Sequence, residues 1–209
     1  MLTISTIIGT SSAIILPEFN TFAVQFGGFG IRWYAVAYLV GLLAGWYLLR
    51  READHKQSPL HSQTVDILIN YVLFGVIIGG RLGYIVFYNS AYYLAHPLAM
   101  LRIWEGGMAF HGALLGVAIA VLIMAKRHHV PFFVLTDRIA LVVPIGLFFG
   151  RLSNFINGEL YGRVTNLPWA MVFPNSDDQP RHPSQLYESG LEGLLLGAIM
   201  LMLLSLIHI

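Results

Sequence analysis

Five long apolar stretches constrain this chain more than any other feature of its sequence. A helix needs roughly 20 mostly apolar residues to cross about 30 Å of hydrocarbon. The stretches are residues 31–49, 66–88, 108–125, 132–152 and 191–209. Of the 209 residues, 56% are apolar and only 11% are charged, a balance far from that of a soluble domain. The sequence therefore predicts an all-α polytopic membrane protein with about five transmembrane helices.

The basic residues predict which side of the membrane each connection occupies. Lys and Arg are concentrated in residues 50–56, after the first stretch, and in 126–129, after the third. Connections rich in Lys and Arg stay on the cytoplasmic side. Segment 89–107 carries a single arginine and is expected outside, as are the polar segment 154–183 and the N-terminus.

One integral membrane domain over residues 1–209 is the simplest organisation. Residues 1–30 are expected to form an interfacial or outer arm, because they lack the basic start of a cleaved signal peptide. Residues 154–183 are expected to form a structured outer segment, since long polar connections usually carry function.

Composition excludes several classes of function. The chain has no cysteine, which excludes a disulfide framework, a thiolate metal site and a cysteine nucleophile on this protein. Any thiol chemistry must therefore use the thiol of another molecule. The formal charge is +1 and the basic residues are not gathered in one long run, so no nucleic-acid partner is expected. Neither a metal nor an organic cofactor is implied.

Three of the stretches carry an ionisable residue that a pure membrane anchor would not need: Arg81 in the second, His111 in the third and Arg151 at the end of the fourth. A charged group at membrane depth costs about 2.5 to 3.5 kcal/mol or more, so such residues are functional candidates by default. By the expected topology, His111 opens the third stretch and Arg151 closes the fourth. Both are therefore predicted toward the outer leaflet, where neighbouring helices can bring them to one cavity.

His111 is flanked by small residues in the segment 106–116, which allows close helix approach and leaves room for a ligand. Imidazole titrates near neutral pH and could take a proton from a thiol or a hydroxyl. An interhelical hydrogen bond is the alternative role for this side chain.

Arg151 opens the densest polar patch of the chain, residues 150–163. A guanidinium offers a planar donor fork suited to a phosphodiester, so phospholipid headgroup binding is predicted here. Arg81 could pair with a phosphate, with a carboxylate, or hold a structural network together. The candidate acids for such pairing are Asp66, Asp137 and Glu159.

The run from Gly150 to Gly162 resembles the signature segment of the prolipoprotein diacylglyceryl transferase family, with Ser153 where that pattern usually has glycine. Four further segments resemble the same family in the same order. They are residues 32–34, 79–84, 106–112 and 181–188. The resemblance covers nearly the whole chain.

This resemblance implies an enzyme that moves the diacylglyceryl group of phosphatidylglycerol onto the lipobox cysteine thiol of a lipoprotein precursor and leaves glycerol phosphate. Its setting would be the bacterial inner membrane, with a signal-peptide segment as second substrate. His111 is expected to act as the base and Arg151 to stabilise the departing phosphate.

The resemblance also marks four further positions and, with Arg81, completes the predicted substrate site. Tyr34 and Asn154 are expected to hydrogen-bond the headgroup, and Glu159 to orient Arg151 or Arg81. Gly162 is expected to make a backbone turn.

Family members are expected to continue past the fifth stretch with two more helices, seven in all, and another essential arginine. This chain ends at Ile209 and contains no counterpart of that arginine. The chain is therefore expected to be truncated and, by itself, unstable or inactive.

Other classes of function remain open on the residues alone. A polytopic anion or lipid transporter would line a path with Arg81, His111 and Arg151, but the cytoplasmic halves of the stretches are nearly all apolar. The sequence contains no Gly-x-Ser-x-Gly motif, which argues against an intramembrane serine protease. A purely structural membrane subunit leaves the polar segment 154–183 without a purpose.

Overall fold

A computed structural model describes residues 13–20, 22–26, 29–55, 58–174 and 176–207. The predicted N-terminal arm falls partly on residues 1–12, which lie outside the described residues.

Helices dominate the described chain, as the apolar stretches predict. Five of them are long and apolar enough to cross a membrane: Trp33–Ala53, Ser62–Tyr88, Phe110–His128, Phe132–Ile156 and Ser184–Leu206. In chain order the helices are α1 (Trp33–Ala53), α2 (Ser62–Tyr88), α3 (Ser90–Ala95), α4 (Phe110–His128), α5 (Phe132–Ile156), α6 (Ser184–Glu188) and α7 (Leu196–Ile207). The prediction of a polytopic all-α membrane protein is confirmed.

Two kinds of helix irregularity were not predicted. Two short 3-10 turns, Pro97–Leu101 and Ile103–Glu105, follow α3, and a π-helical stretch, Ser189–Leu195, joins α6 to α7. Ser184 is the first residue of α6, where Pro183 is the N-cap. Its hydroxyl does not cap this helix but donates to the Leu160 carbonyl at 2.9 Å.

Short strands accompany the helices and were also not predicted. They are β1 (Ile14–Ile15), β2 (Phe22–Phe26), β3 (Phe29–Arg32) and β4 (Met171–Val172). β2 and β3 pair antiparallel as a hairpin, and β1 pairs parallel with β4. The N-terminal arm therefore contributes strands: β1 pairs with a strand far along the chain, and β2 pairs with the β3 strand that follows it.

The chain divides into two compact units, described separately below. Unit 1 comprises residues 1–45 and 141–209, and unit 2 comprises residues 46–140. The boundaries fall inside α1 and α5. The single membrane domain expected from the sequence stays a prediction.

Glycines bring α2 and α4 into backbone contact within unit 2. A Cβ atom added at Gly79 would lie 2.4 Å from the Gly112 carbonyl oxygen, and one at Gly116 would lie 2.2 Å from the Gly75 carbonyl oxygen. Only residues without a side chain permit this approach. The close packing predicted around His111 is confirmed, and it fixes α4 against α2 immediately after that histidine.

Candidate active site

A glycine turn ends α5 and shapes the polar patch of unit 1. Gly158 has a φ of +66°, its amide donates to the Phe155 carbonyl, and the Glu159 amide donates to the Asn154 carbonyl at 2.9 Å. These two bonds and the positive φ define a Schellman motif. The motif folds the chain back on the helix end, which brings Glu159 beside Asn154.

Ser153, which replaces the glycine of the family pattern, lies in the last turns of α5. Its side chain is buried, and its carbonyl accepts the Asn157 amide at 3.0 Å. The backbone here is helical, a conformation that serine and glycine both adopt. The substitution therefore leaves the course of the chain unchanged.

Tyr34 joins the start of α1 to the end of α5. The Asn154 amide nitrogen donates to the Tyr34 hydroxyl, which donates in turn to Glu159 Oε2 at 3.1 Å. Asn154 is 7% exposed, Tyr34 is half-buried and Glu159 is exposed. Three of the predicted site residues therefore form one hydrogen-bonded chain that runs from the buried side chain of Asn154 to the exposed carboxylate of Glu159.

Arg151 lies one turn before Asn154 on α5 and pairs with two carboxylates of the last helix. Its Nε is 2.8 Å from Glu188 Oε2, and its Nη2 is 3.6 Å from Glu192 Oε2. The Nε contact has ion-pair distance without hydrogen-bond geometry. All three side chains are partly exposed, so the guanidinium is held in place and remains accessible to a ligand.

The prediction that Glu159 orients Arg151 is wrong, because Tyr34 is the partner of Glu159 and Glu188 is the nearest partner of Arg151. The sequence analysis singled out neither Glu188 nor Glu192 as a site residue. A signal was present: the two acids are four residues apart in an apolar helix, where a carboxylate is costly and usually paired.

Gly162 does not form the predicted turn. Its amide donates to the His182 carbonyl at 2.9 Å, and a Cβ at this position would lie 2.9 Å from the His182 Cβ. The positive φ values of this region belong instead to Gly158 and Leu160. The reason for a glycine at 162 is therefore the close approach of the two chain segments.

The start of α6 holds the same segment from its other side. Gln185, fully buried, donates to the Glu159 carbonyl at 2.6 Å, and Ser184 donates to the Leu160 carbonyl. The segments around residues 159–162 and 182–185 are thus fastened together, and the position of the Glu159 side chain depends on both.

Arg181 stabilises the polar segment between α5 and α6. Its Nη2 is 2.7 Å from Asp177 Oδ2 and its Nε is 3.0 Å from Asp177 Oδ1, a bidentate pair. It also donates to the Gly162 carbonyl and lies over the Tyr161 ring. Hydrogen bonding from Arg181 holds the pKa of Asp177 below its ordinary value, and the same contact raises the pKa of Arg181.

His111 lies in unit 2, in the first turn of α4. Its ring is exposed and packs edge-on against Phe110 at 5.5 Å between centroids. Within the part of the chain that the structure describes, neither ring nitrogen has a hydrogen-bond partner. The alternative role in an interhelical hydrogen bond therefore gains no support, and both nitrogens are available to a substrate.

Arg81 is buried on α2, at 5% exposure, and donates only to main-chain carbonyls. A guanidinium has five N–H donors, and all five are used. The acceptors are the carbonyl oxygens of Ala99, Met100, Arg102, Gly106 and Gly107. No donor is left for a phosphate in this structure, which favours the structural alternative, and the substrate-binding role stays a prediction.

The candidate acids of unit 2 have other environments. Asp66 accepts a hydrogen bond from Trp46 at 2.7 Å and pairs with Arg50 at 3.3 Å, while Asp137 is exposed on α5. Neither contacts Arg81, whose charge is compensated by carbonyl dipoles and by the Tyr93 ring, 5.1 Å away.

The helices and the polar cluster at the end of α5 define a multi-pass membrane protein with a partly exposed arginine site. The family model described as prolipoprotein diacylglyceryl transferase matches residues 21–208. The chain therefore belongs to the prolipoprotein diacylglyceryl transferase family.

Several curated relatives carry the name phosphatidylglycerol–prolipoprotein diacylglyceryl transferase. One from Nitratidesulfovibrio vulgaris (strain Miyazaki F) is 52% identical over 87% of this chain and 69% of its own length. One from Polynucleobacter asymbioticus is 51% identical over 90% of this chain and 73% of its own. One from Bradyrhizobium diazoefficiens is 47% identical over 92% of this chain and 71% of its own length.

Proposed function

We propose that this protein transfers the diacylglyceryl group of phosphatidylglycerol to the lipobox cysteine thiol of prolipoproteins. The products are a thioether-linked lipoprotein precursor and glycerol phosphate. The observation that carries the proposal is the family match over residues 21–208, together with relatives of that name at about half identity. The transporter alternative gains no support from these comparisons.

His111 is assigned to the thiol. A thiol is nucleophilic only as thiolate and has an ordinary pKa of about 8.5, so a base that takes its proton accelerates attack. An exposed imidazole in the first turn of α4 can accept that proton. The sulfur then attacks the glycerol carbon that carries the phosphate. The carbon–oxygen bond breaks, and its electron pair leaves with the phosphate oxygen.

Arg151 is assigned to the phosphate. The leaving oxygen gains negative charge as the bond breaks, and a guanidinium placed beforehand stabilises that charge. The contacts of Arg151 with Glu188 and Glu192 support this role, because they hold the guanidinium in one place before substrate arrives. Its partial exposure leaves room for a phosphodiester.

Tyr34, Asn154 and Glu159 are assigned to the glycerol headgroup. Their hydrogen-bonded chain lies next to Arg151 in sequence and ends at an exposed carboxylate. Hydroxyl groups of a glycerol can both donate and accept hydrogen bonds, which matches a site that presents a phenol, an amide and a carboxylate. Gly162 is assigned a supporting role, because its close contact with residue 182 fastens the segment that carries Glu159.

The proposed setting is the bacterial cytoplasmic membrane. The basic segments 50–56 and 126–129 would face the cytoplasm, and the N-terminus and site would face the outer leaflet. The lipobox cysteine follows an apolar signal-peptide segment, which would reach the site from within the bilayer.

A direct assay tests the proposal. Membranes containing this protein are incubated with phosphatidylglycerol and a lipobox peptide, and both glycerol phosphate and the mass of the peptide are measured. The N. vulgaris relative is the positive control. Because the relatives are longer, a second version carries the C-terminal segment of that relative after residue 207.

The expected result is glycerol phosphate released in proportion to modified peptide, with loss of both in His111→Ala and Arg151→Ala. If neither version modifies the peptide under conditions in which the relative does, the proposed activity is wrong for this chain.

A further inference from the structure

The carbonyls that surround Arg81 all come from one segment of unit 2. This segment, residues 99–107, comprises most of the first 3-10 turn, the second 3-10 turn and the glycine pair that lead from α3 to α4. Ala99 and Arg102 carbonyls accept from Nη2 at 2.7 and 3.1 Å, and the Met100 carbonyl accepts from Nε at 2.9 Å. The segment is therefore wrapped around one buried guanidinium.

Short 3-10 turns leave carbonyls without partners at their ends, and buried carbonyls without partners are costly. Arg81 donates to the Met100, Gly106 and Gly107 carbonyls. It is a second donor to the Ala99 and Arg102 carbonyls, which also accept the Arg102 and Glu105 amides. A lysine has three donors on one nitrogen and no fixed plane, so it cannot serve five acceptors that lie around a planar group. The arrangement requires arginine.

The last two acceptors lead directly to the beginning of α4. Gly106 and Gly107 have φ values of +88° and +82°, a region open mainly to glycine, and both carbonyls accept from Nη1. Two residues later, the Ala109 amide donates to the Gly80 carbonyl at 2.9 Å. Adjacent residues of α2 thus fix the chain just before His111, and the glycine packing of Gly112 fixes it just after.

We propose that Arg81 is a positioning residue that sets the place of His111 by folding residues 99–107 onto α2. It acts through the segment and not by contact with substrate. This inference rests on the proposed function only for its effect on the rate, since the folding of the segment can be measured without any activity.

Two measurements on Arg81→Lys and Arg81→Ala in the whole protein test the proposal. Hydrogen–deuterium exchange of the peptide over residues 96–110 is expected to rise in both variants, while a peptide within α5 stays protected. In the transfer assay kcat is expected to fall by about 10²-fold, the cost of displacing a reacting group by about 1 Å, with KM for phosphatidylglycerol nearly unchanged. The matched control is Arg102→Lys, which alters an exposed arginine of the same segment that pairs with Glu105.

Added guanidinium ion provides a second test with Arg81→Ala, because it can fill the space left by the side chain and is expected to restore part of kcat and part of the exchange protection. If exchange over 96–110 is unchanged in both variants, the anchoring role is wrong. If KM rises while kcat is kept, Arg81 contacts the headgroup and the proposal is overturned. An inactive wild-type protein whose variants still lose protection would overturn the proposed function and leave the anchor supported.

Discussion

Arg151 Nε and Glu188 Oε2 lie 2.8 Å apart, which ties the end of α5 to the last turn of α6. Glu192 approaches the same guanidinium at 3.6 Å from the next turn of the last helix. One cation therefore has two acidic neighbours at different distances, and the proposed phosphodiester ligand would bind beside both of them.

The two acids are expected to differ in importance. Glu188→Gln should lower the transfer rate on the order of tenfold, because the nearer carboxylate orients the guanidinium. Glu192→Gln should change the rate by no more than about threefold, since its pair is longer and more exposed. Initial rates in membranes measure both. Equal effects of the two variants would contradict the assignment of Glu188 as the orienting residue.

Arg151→Lys is expected to reduce kcat by about 10²-fold or more, the usual cost of losing a donor to a developing oxyanion. Lysine keeps the charge and loses the planar fork that matches a phosphate. Arg102→Lys is the control, because Arg102 forms an exposed pair within the segment that follows α3. A fully active Arg151→Lys protein would show that charge alone suffices.

Tyr34→Phe is expected to lower both stability and activity. The substitution removes the hydroxyl that accepts from Asn154 and donates to Glu159, and leaves a buried amide donor without its partner, at a cost of about 1–3 kcal/mol. Thermal unfolding in detergent measures the loss. Tyr38→Phe is the matched control, because Tyr38 is one turn along α1, stacks on Tyr34 and is 66% exposed. Equal melting temperatures for the two variants would contradict the network.

Gly79→Ala and Gly116→Ala are expected to destabilise the α2–α4 contact by about 1–3 kcal/mol, because each new methyl group would meet main-chain atoms of the other helix. Gly146→Ala is the control, since a Cβ there meets nothing within 4 Å and alanine favours a helix. Melting temperatures should fall for the first two variants and stay or rise for the control.

Acid is expected to loosen the segment around Arg181. The pKa of Asp177 is lower in the folded protein than its ordinary value of 3.8, so the pair stabilises the fold above that value. This stabilisation is lost as the pH falls through the lower, folded pKa. Proteolysis by an acid protease at decreasing pH should cut near residues 174–181. Asp177→Asn should be cut at the same rate across this range, and a wild-type-like pH dependence in that variant would rule out the pair as its cause.

Apolar length and ordered motifs were enough to predict much of this protein. The end of α2 at Tyr88 and the start of α5 at Phe132 follow from where the apolar stretches meet polar residues. Tyr34, Asn154 and Glu159 were singled out by the family motif, and they do lie together.

The rest of the fold and of the site depends on contacts between residues far apart in the sequence, and the sequence alone does not show which of them meet. β1 needs β4, far along the chain, before either two-residue strand exists. Glu188 becomes a candidate site residue only because it pairs with Arg151 on another helix. Arg81 could not be assigned because its acceptors are main-chain carbonyls, which every sequence offers; only the fold of residues 99–107 gathers them.

The Schellman turn at Gly158 fixes the number of residues between Asn154 and Glu159. Two main-chain hydrogen bonds of the turn require this spacing. Inserting or deleting one residue there would therefore move the Glu159 carboxylate away from Tyr34. Changes in length should therefore not be tolerated at this helix end, which makes the spacing from 154 to 159 as much a part of the site as the side chains themselves.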